Sequence, residues 1–311
     1  MVSGARTVPA GADTEERTGP VGHFPCSSFV ADHTAVRGTV GAVEIADKVI
    51  VVTGAASGIG RALARRFHAG GARAVVVADV AEQGAVAVAA ELERARPGCS
   101  LGLGCDVSTP DGNEALIDAT ERRFGEIDLF FANAGVGLGT DLETSDADWH
   151  TAFAVNVEAH YYAARRLVPG WLARGEGYFC STASAAGLLT QIGSAPYSVT
   201  KHAAVAFAEW LSVTYGDQGI RVSCLCPMGV NTNMLNGGNT SGVAALGGDV
   251  VRSAGAVLEP EDVAEVCVET IAAERFLILP HPEVLTFFQR KGSDYDRWLA
   301  GMRRLQARVR G

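Results

Sequence analysis

The chain has 311 residues, of which 48% are hydrophobic and 20% charged, a composition typical of a globular protein with one large domain or two small ones. Collagen-like, coiled-coil and disordered classes are thereby excluded. The 35 acidic residues outnumber the 26 Lys and Arg and give a net charge of -9, so the chain would repel a phosphate backbone and no nucleic acid is expected as a partner.

The sequence carries no pattern typical of export, of a membrane span or of a metal site. Acidic residues between Asp13 and Glu16 stand where a secretory signal would need an apolar core. The charge-free stretches 177–200 and 222–248 are broken by Pro, Gly, Ser, Thr and Asn, so no membrane contact is expected. The seven cysteines lack metal-type spacing and are typical of small, reduced core residues, which predicts a cytoplasmic protein with no metal.

Regular secondary structure is predicted to begin near Asp47, because residues 1–44 show no sustained period and indicate a disordered N-terminal extension. Runs rich in Val, Ile, Leu and Phe predict strands at Lys48–Thr53, Ala74–Asp79, Leu101–Asp106, Ile127–Asn133, Tyr178–Thr182, Ile220–Cys226 and Phe276–Pro280. Amphipathic segments predict helices over residues 59–70, 82–96, 111–124, 146–173, 196–217 and 260–274.

This alternation of strands and helices predicts right-handed crossovers and a parallel sheet covered on both faces. We therefore expect an α/β fold, with a Rossmann-type doubly wound parallel sheet of about seven strands forming a single domain over residues 45–280. Residues 281–311 are predicted to form a C-terminal helical extension.

A glycine-rich loop follows the first predicted strand and leads directly into a helical run. Glycines there let the backbone turn tightly and approach a pyrophosphate, whose charge the helix N-terminus can meet. The loop therefore predicts nucleotide binding, with candidate contacts at Thr53, Gly54, Ser57, Gly58, Ile59 and Gly60.

Acidic residues at the ends of the next two strands are candidates for the adenosine part of the nucleotide. Asp79 has the spacing expected for a carboxylate that binds a ribose 2′-OH, and it would repel a 2′-phosphate. Neither Ser57 nor Val80 is basic, so the sequence favours NAD over NADP, the alternative being an Asp that only ends a strand. Asp106 and Val107 are candidates to contact the adenine, and helix capping by Asp106 is an equal alternative.

Further motifs stand in a fixed order along the chain. Ala132-Asn133-Ala134-Gly135 follows the fourth strand, Asn156 lies between two valines, and Ser184 precedes Tyr197-Ser-Val-Thr-Lys201. Together with the glycine loop, they resemble the classical short-chain dehydrogenase/reductase family over about residues 47–280. The resemblance implies an enzyme that uses NAD(P) to oxidise an alcohol or reduce a ketone.

The resemblance also implies roles for individual residues. Asn156, Ser184, Tyr197 and Lys201 would form a catalytic tetrad, in which Asn156 holds a water that links the lysine to solvent and Lys201 also binds the nicotinamide ribose. The remaining cofactor contacts would come from Asn133, Ala134, Gly135, Tyr197, Pro227, Gly229, Val230 and Thr232. A homodimer or homotetramer built through the helices near 146–173 and 196–217 is implied as well.

The residue types of Tyr197 and Lys201 suit acid–base chemistry. A free tyrosine, with a pKa of about 10, is too weak a base near neutral pH. Lys201 lies four residues on, hence on the same helix face, and a cation at about 4 Å would lower the pKa of Tyr197 by roughly three units, although burial would oppose this. Ser184 would donate a hydrogen bond to the substrate oxygen. A surface Tyr–Lys pair and a turn serine are the alternatives.

Two departures from the family pattern bear on the substrate. Met228 stands where a glycine is usual, and the usual C-terminal ending is replaced by Phe276–Pro280 and the extension. Residues 187–192 and 230–255 are expected over the site, and their aliphatic, mostly uncharged composition favours a neutral, fairly apolar secondary alcohol or ketone of lipid, steroid or terpenoid type. The alternatives are a carbonyl reductase of the 3-oxoacyl-carrier-protein kind and a non-catalytic nucleotide-binding regulator.

The end of the chain carries an apolar stripe at helical spacing, formed by Trp298, Met302, Leu305 and Val309. Arginines occupy the other faces of this predicted helix. The pattern favours a helix that docks on its own subunit or a neighbour and helps close the substrate pocket, and the alternative is an anchor on a membrane surface.

Overall fold

The computed structural model describes residues 44–236, 250 and 255–309. Within them, seven parallel strands form one sheet in the order β3-β2-β1-β4-β5-β6-β7. The strands are β1 (Val49–Thr53), β2 (Ala74–Asp79), β3 (Ser100–Gly104), β4 (Leu129–Ala132), β5 (Gly177–Thr182), β6 (Ile220–Leu225) and β7 (Leu277–Ile278). The prediction of a doubly wound parallel sheet is confirmed. The predicted extension over residues 1–44 lies, apart from Glu44, outside the described residues.

Helices connect the strands and cover both faces of the sheet. They are α1 (Gly58–Ala69), α2 (Glu82–Ala95), α3 (Pro110–Phe124), α4 (Asp146–Phe153), α5 (Ala159–Arg174), α6 (Ala186–Leu189), α7 (Ala195–Tyr215), α8 (Asn233–Asn236), α9 (Pro260–Ala272), α10 (Glu283–Ser293) and α11 (Tyr295–Val309). A single residue, Asp294, separates α10 from α11.

The predicted helix over residues 146–173 is interrupted in the structure. A π-helical turn, Ala154–Glu158, stands between α4 and α5. Such turns insert an extra residue into the helix and are frequent at functional sites, and hydrophobic periodicity does not reveal them. Here the turn contains the fully buried Asn156.

The core lies in two layers, one on each face of the sheet. Alternate residues of β1 point to opposite faces, so that Val49 and Val51 pack in one layer while Ile50 and Val52 pack in the other. Helices α3, α5 and α7 cover the first layer, and α1, α2 and α9 cover the second. Because the chain leaves β1 toward β2 and returns through β4, the β1–β4 boundary is the switch point, outside whose carboxyl ends ligands bind in such sheets.

Candidate active site

The glycine loop lies at the carboxyl end of β1 and packs tightly against the chain after β4. Gly54 and Gly58 have positive φ values of 63° and 51°, which a glycine adopts without strain. A Cβ on Gly60 would lie 2.3 Å from the Gly54 carbonyl oxygen, so this position has no room for a side chain. The first turn of α1 contains no acidic residue, and the N-cap Ser57 makes no side-chain capping bond. The backbone N–H groups of this first turn are thus available to bind an anion.

Thr53 and Asn133 hold this loop to the strand next to it. The Thr53 hydroxyl accepts hydrogen bonds from the backbone N–H groups of Asn133 and Ala134, both at 3.0 Å. The Asn133 side chain donates to the Thr53 carbonyl at 3.0 Å and accepts from the Thr182 hydroxyl at 3.1 Å. These bonds fix the loops that follow β1, β4 and β5 relative to one another.

Asp79 and Asp106 lie at the ends of β2 and β3, and both line the cavity described below. The Asp79 carboxylate accepts hydrogen bonds from the N–H groups of Ala56, at 3.0 Å, and Ala81, at 2.9 Å, so it also fixes the glycine loop. The Asp106 carboxylate instead accepts from the backbone and the hydroxyl of Ser108, at 3.0 and 2.6 Å. Helix α3 is capped by Thr109, not by Asp106.

Ser184, Tyr197 and Lys201 meet beyond the carboxyl end of β5. Ser184 interacts with the Tyr197 phenol, and its hydroxyl accepts a hydrogen bond from the Ala186 N–H at 3.1 Å. The Lys201 ammonium lies 5.7 Å from the centroid of the Tyr197 ring and donates to the Thr182 carbonyl at 2.9 Å. Lys201 is only 2% exposed, whereas Tyr197 is partly buried and lines the cavity.

Burial has the largest effect on the pKa values of Tyr197 and Lys201. It lowers the pKa of the Lys201 ammonium to about 8, and the nearby Cys224 and Cys226 act in the opposite direction. It also raises the pKa of Tyr197, an effect that the hydrogen bond with Ser184 offsets in part. Desolvation of the phenolate, which was expected to oppose the effect of the cation, is therefore the larger effect on the pKa of Tyr197 in this structure.

Asn156 lies behind this group rather than on the cavity. Its carbonyl oxygen accepts from the Val136 N–H at 2.9 Å, and its amide donates to the Val136 carbonyl and the Thr200 hydroxyl, both at 3.0 Å. A Cβ on Gly135 would lie 3.3 Å from both the Asn156 oxygen and the Lys201 nitrogen. Gly135 thus lets the two side chains approach the chain after β4.

The segment after β6 is held in place by a histidine that belongs to none of the sequence motifs. His281 is 2% exposed; its Nδ1 accepts from the Met228 N–H at 3.2 Å, and its Nε2 lies 3.1 Å from the Ala256 carbonyl. The backbone N–H of Met228, the residue that replaces the usual glycine, therefore has a hydrogen-bond acceptor. Met228 also lines the cavity. Thr232 contacts the glycine loop, because a Cβ on Gly58 would lie 3.1 Å from its methyl group.

These elements surround a cavity of about 1470 Å³. Pockets for one small ligand measure about 300–1,000 Å³, so this cavity has room for two molecules. We call the part lined by the glycine loop, Asp79 and Asp106 the cofactor half. The substrate half contains Ser184, Tyr197 and residues from α6 onward; its further lining includes Leu189, Thr190, Gln191, Met228, Phe287, Arg290, Trp298, Met302, Leu305 and Arg308.

We call helices α10 and α11 the C-terminal wall. The site residues predicted from the sequence include none from these two helices. Three members of the predicted stripe, Trp298, Met302 and Leu305, line the cavity, and each is partly buried. Helical spacing could identify the stripe but not the surface that it faces, because the contacts join segments more than a hundred residues apart.

A buried lysine holds the C-terminal wall against α6 and α7. Lys291 is 6% exposed; its ammonium donates to the Leu188 carbonyl at 2.7 Å and lies 3.3 Å from Nε2 of His202. It also lies 5.5 Å from the Tyr295 ring centroid. Because α6 begins two residues after Ser184, this contact joins the wall to the part of the cavity that contains Ser184 and Tyr197.

Most of the residues selected from the sequence line this one cavity. They are Gly54, Ser57, Gly58, Ile59, Gly60, Asp79, Asp106, Val107, Asn133, Ala134, Gly135, Ser184, Tyr197, Lys201, Pro227, Val230 and Thr232. Thr53, Asn156 and Gly229 do not line it. Thr53 and Asn156 bind the loops behind it, and the buried Gly229 accepts a hydrogen bond from Leu258 at 3.0 Å.

The described residues form neither a metal site nor a membrane-spanning helix. Across residues 44–236, 250 and 255–309, no cluster of three His, Cys, Asp or Glu side chains is arranged to hold a metal ion. None of the helices in this part of the chain combines the length and the apolar character needed to cross a membrane.

Comparison with known proteins gives concordant matches. Residues 48–241 match the family described as short chain dehydrogenase. The 1-deoxy-11-beta-hydroxypentalenate dehydrogenase of Streptomyces exfoliatus is 38% identical over 240 residues, which cover 76% of this chain and 84% of that protein. The meso-2,3-butanediol dehydrogenase of Serratia marcescens is 36% identical over 192 residues, covering 61% and 74%.

The fold has a similar counterpart among solved structures. A short chain dehydrogenase/reductase from Burkholderia phymatum, crystallised in complex with NAD, superposes with a TM-score of 0.75 at 33% sequence identity. The superposition covers 82% of this chain and 96% of that one.

Proposed function

The chain belongs to the short-chain dehydrogenase/reductase family, and we propose that it is an NAD-dependent enzyme that interconverts a secondary alcohol and its ketone. The supporting observation is the meeting of Ser184, Tyr197 and Lys201 on a cavity whose other half is a glycine loop at a helix N-terminus. A binding protein without turnover has no physical need for a buried lysine beside a tyrosine at this position.

The residues of the cofactor half fit NAD. The free N–H groups of the first turn of α1 suit the pyrophosphate, and the Asp79 carboxylate suits a ribose 2′-OH. No Lys or Arg lines this half among the described residues, so a 2′-phosphate would meet a carboxylate without a compensating cation. When bound, the cofactor supplies the hydride acceptor for oxidation and the hydride donor for reduction.

The chain's own residues move the proton. In the oxidation, the substrate O–H bond breaks and the proton passes to the Tyr197 phenolate oxygen, while the C–H bond gives up its hydride and a C=O bond forms. Ser184 donates a hydrogen bond to the same substrate oxygen. With a pKa of about 8, Lys201 is mainly an ammonium at neutral pH and stabilises the phenolate. In the reduction, Tyr197 returns the proton.

Replacement of Tyr197 by Phe tests this assignment. The variant loses the proton-transfer group but keeps the ring and the glycine loop, so we expect turnover to fall by about 100- to 10,000-fold with the affinity for NADH unchanged. Turnover is followed by nicotinamide absorbance on a panel of secondary alcohols, ketones and 3-oxoacyl thioesters.

Tyr215→Phe is the matched control, since it removes a hydroxyl from the same helix at a distance from the cavity. Native turnover by Tyr197→Phe would contradict the role of the tyrosine. Absence of turnover by the native protein on every member of the panel would instead favour the regulator.

The lining of the substrate half supports an apolar substrate skeleton. Leu189, Met228, Phe287, Trp298, Met302 and Leu305 all lie on it. The similarity to a hydroxypentalenate dehydrogenase supports the same choice, so we propose a substrate of lipid, steroid or terpenoid type.

We also propose that the protein is a homo-oligomer, because α5 and α7 present an aromatic surface. Tyr161 and Trp210 are 44% and 53% exposed, and Val213 on the same helix as Trp210 is 86% exposed. Burial of such a patch in a dimer or tetramer would remove this apolar area from water. Light scattering that reports a monomer would contradict the proposal.

A cytoplasmic location agrees with the cysteines, since all six that the structure describes carry free thiols. Cell fractionation would test it.

A further inference from the structure

Two arginines stand on the C-terminal wall where it lines the substrate half. Arg290 lies three residues after Phe287, and Arg308 lies three residues after Leu305. Residues three apart share one face of a helix, so each arginine lies on the same helix face as an apolar residue that lines the same cavity. The wall therefore combines an apolar surface with two positive charges.

Within the described residues, no carboxylate is paired with either guanidinium. Arg290 and Arg308 make no hydrogen bond or ion pair with their side chains among the described residues, and both are exposed. Other arginines of this acidic chain are paired with carboxylates, namely Arg65, Arg66, Arg166, Arg174 and Arg221. Arg297 and Arg303 are also exposed and unpaired among the described residues, but Arg290 and Arg308 differ from them because they line the cavity.

Three carboxylates line the cavity among the described residues, and none of them forms an ion pair with Arg290 or Arg308. Asp79 and Asp106 belong to the cofactor half and are bound to backbone N–H groups. Asp148 lines the cavity from α4, where its carboxylate accepts a hydrogen bond from the Ser145 hydroxyl at 3.0 Å. Outside the cofactor half, the cavity lining thus contains Lys201, Arg290 and Arg308 against the single carboxylate of Asp148. A cleft with an excess of one charge sign attracts ligands of the opposite sign.

We infer that the substrate of this enzyme is an apolar alcohol or ketone that carries an anionic group, such as a carboxylate, bound by the arginines of the C-terminal wall. This inference rests on the proposed function and specifies its substrate. It differs from the sequence-based expectation of a neutral substrate, because that expectation considered only the loops after β5 and β6. Guanidinium groups bind carboxylates through charge-assisted hydrogen bonds, while the apolar face holds the carbon skeleton.

The test compares hydroxy acids with their methyl esters, which have the same carbon skeleton but lack the carboxylate charge. The probes are lithocholate and ricinoleate, each a secondary alcohol on an apolar skeleton, together with methyl lithocholate and methyl ricinoleate. Calorimetry on the full-length protein saturated with NADH measures binding without oxidation of the alcohol. We expect at least one acid to bind about 10-fold more tightly than its ester, and the preference to weaken at high ionic strength.

The double variant Arg290→Gln/Arg308→Gln is expected to remove this preference and leave the affinity for the ester unchanged. The control is Arg297→Gln/Arg303→Gln, which makes the same change of charge on exposed arginines of α11 that do not line the cavity. Each single variant, Arg290→Gln and Arg308→Gln, then assigns the effect to one position.

Three results would overturn the inference: equal affinity for acid and ester, equal loss in the double variant and its control, and no binding of any probe. Turnover is recorded separately with NAD. Oxidation of an ester without preference for the acid would overturn the inference and leave the proposed function intact. Preferential binding of an acid, with no oxidation of any probe, would overturn the proposed function alone.

Discussion

The two halves of the cavity are built in different ways. The cofactor half consists of loops that directly follow β1 to β4, so each of its residues lies next to a strand that the sequence identifies. The substrate half includes Phe287 and Trp298, which belong to helices beyond the last strand. Parallel strands bring their carboxyl ends together in any such sheet, whereas docking of a terminal helix depends on side chains specific to this chain. The residues proposed to bind the cofactor thus lie next to strands that the sequence predicts. The residues proposed to select the substrate depend on contacts between distant segments of the chain.

The three lysines of the chain, Lys48, Lys201 and Lys291, allow this comparison to be tested with matched substitutions. Lys201 lies where the halves meet, Lys291 holds the wall of the substrate half, and Lys48 forms a surface ion pair with Glu176 at 2.6 Å.

The largest expected effect concerns the buried charge of Lys201. Its pKa is about 8 in the folded chain and 10.5 in the unfolded chain, so between these pH values the unfolded chain binds a proton that the folded chain does not. The free energy of unfolding contributed by this group therefore increases as pH rises from 8 to 10.5, by about 3 kcal/mol.

Buried thiols with raised pKa values, such as Cys267, act in the opposite direction, so the relevant quantity is the difference between the native protein and Lys201→Met. Denaturant unfolding across this pH range measures it. Lys48→Met is the control for the loss of a lysine at the surface. A parallel pH dependence of the native protein and Lys201→Met would place the pKa of Lys201 near its ordinary value.

The second prediction tests the cofactor half through Asp79. Asp79→Asn removes the charge but retains an oxygen that can accept from Ala56 or Ala81, so the loop is expected to stay folded. We expect the preference for NAD over NADP, measured as the ratio of kcat/KM values, to fall about 10-fold, which corresponds to about 1.4 kcal/mol.

Asp106→Asn is the control, because that carboxylate is bound to Ser108 within its own turn. A native protein that already uses NADP more efficiently than NAD would refute the assignment of Asp79.

The smallest expected effect concerns the C-terminal wall. Lys291→Met removes the hydrogen bonds to Leu188 and His202 but keeps an unbranched side chain of similar length. We expect KM for a bulky alcohol to rise about 3-fold with kcat and NADH affinity unchanged, because the wall binds substrate and transition state alike.

Lys291→Arg should restore part of this loss, since a guanidinium can donate to the same carbonyl. A fall in kcat or in NADH affinity as large as the rise in KM would mean that the wall supports the whole site rather than the substrate half.

The fold follows closely from the sequence, because apolar runs of strand length alternate with amphipathic segments. The limits of the strands shift by a few residues; β3 ends at Gly104 rather than Asp106, since the chain turns there to cap α3. The π-helical turn at Asn156 was not predictable, because hydrophobic spacing does not distinguish one extra residue in a helix.

The sequence by itself determined the switch-point sheet, the glycine loop and the residues at the strand ends, because each of these depends on neighbours in the chain. Only the tertiary structure decided that Thr53 and Asn156 bind behind the cavity, that His281 fixes the loop of Met228, and that burial dominates the pKa values of Tyr197 and Lys201. It also placed Arg290 and Arg308 on the substrate half. These features depend on desolvation and on contacts between distant segments, which no local pattern of residues records.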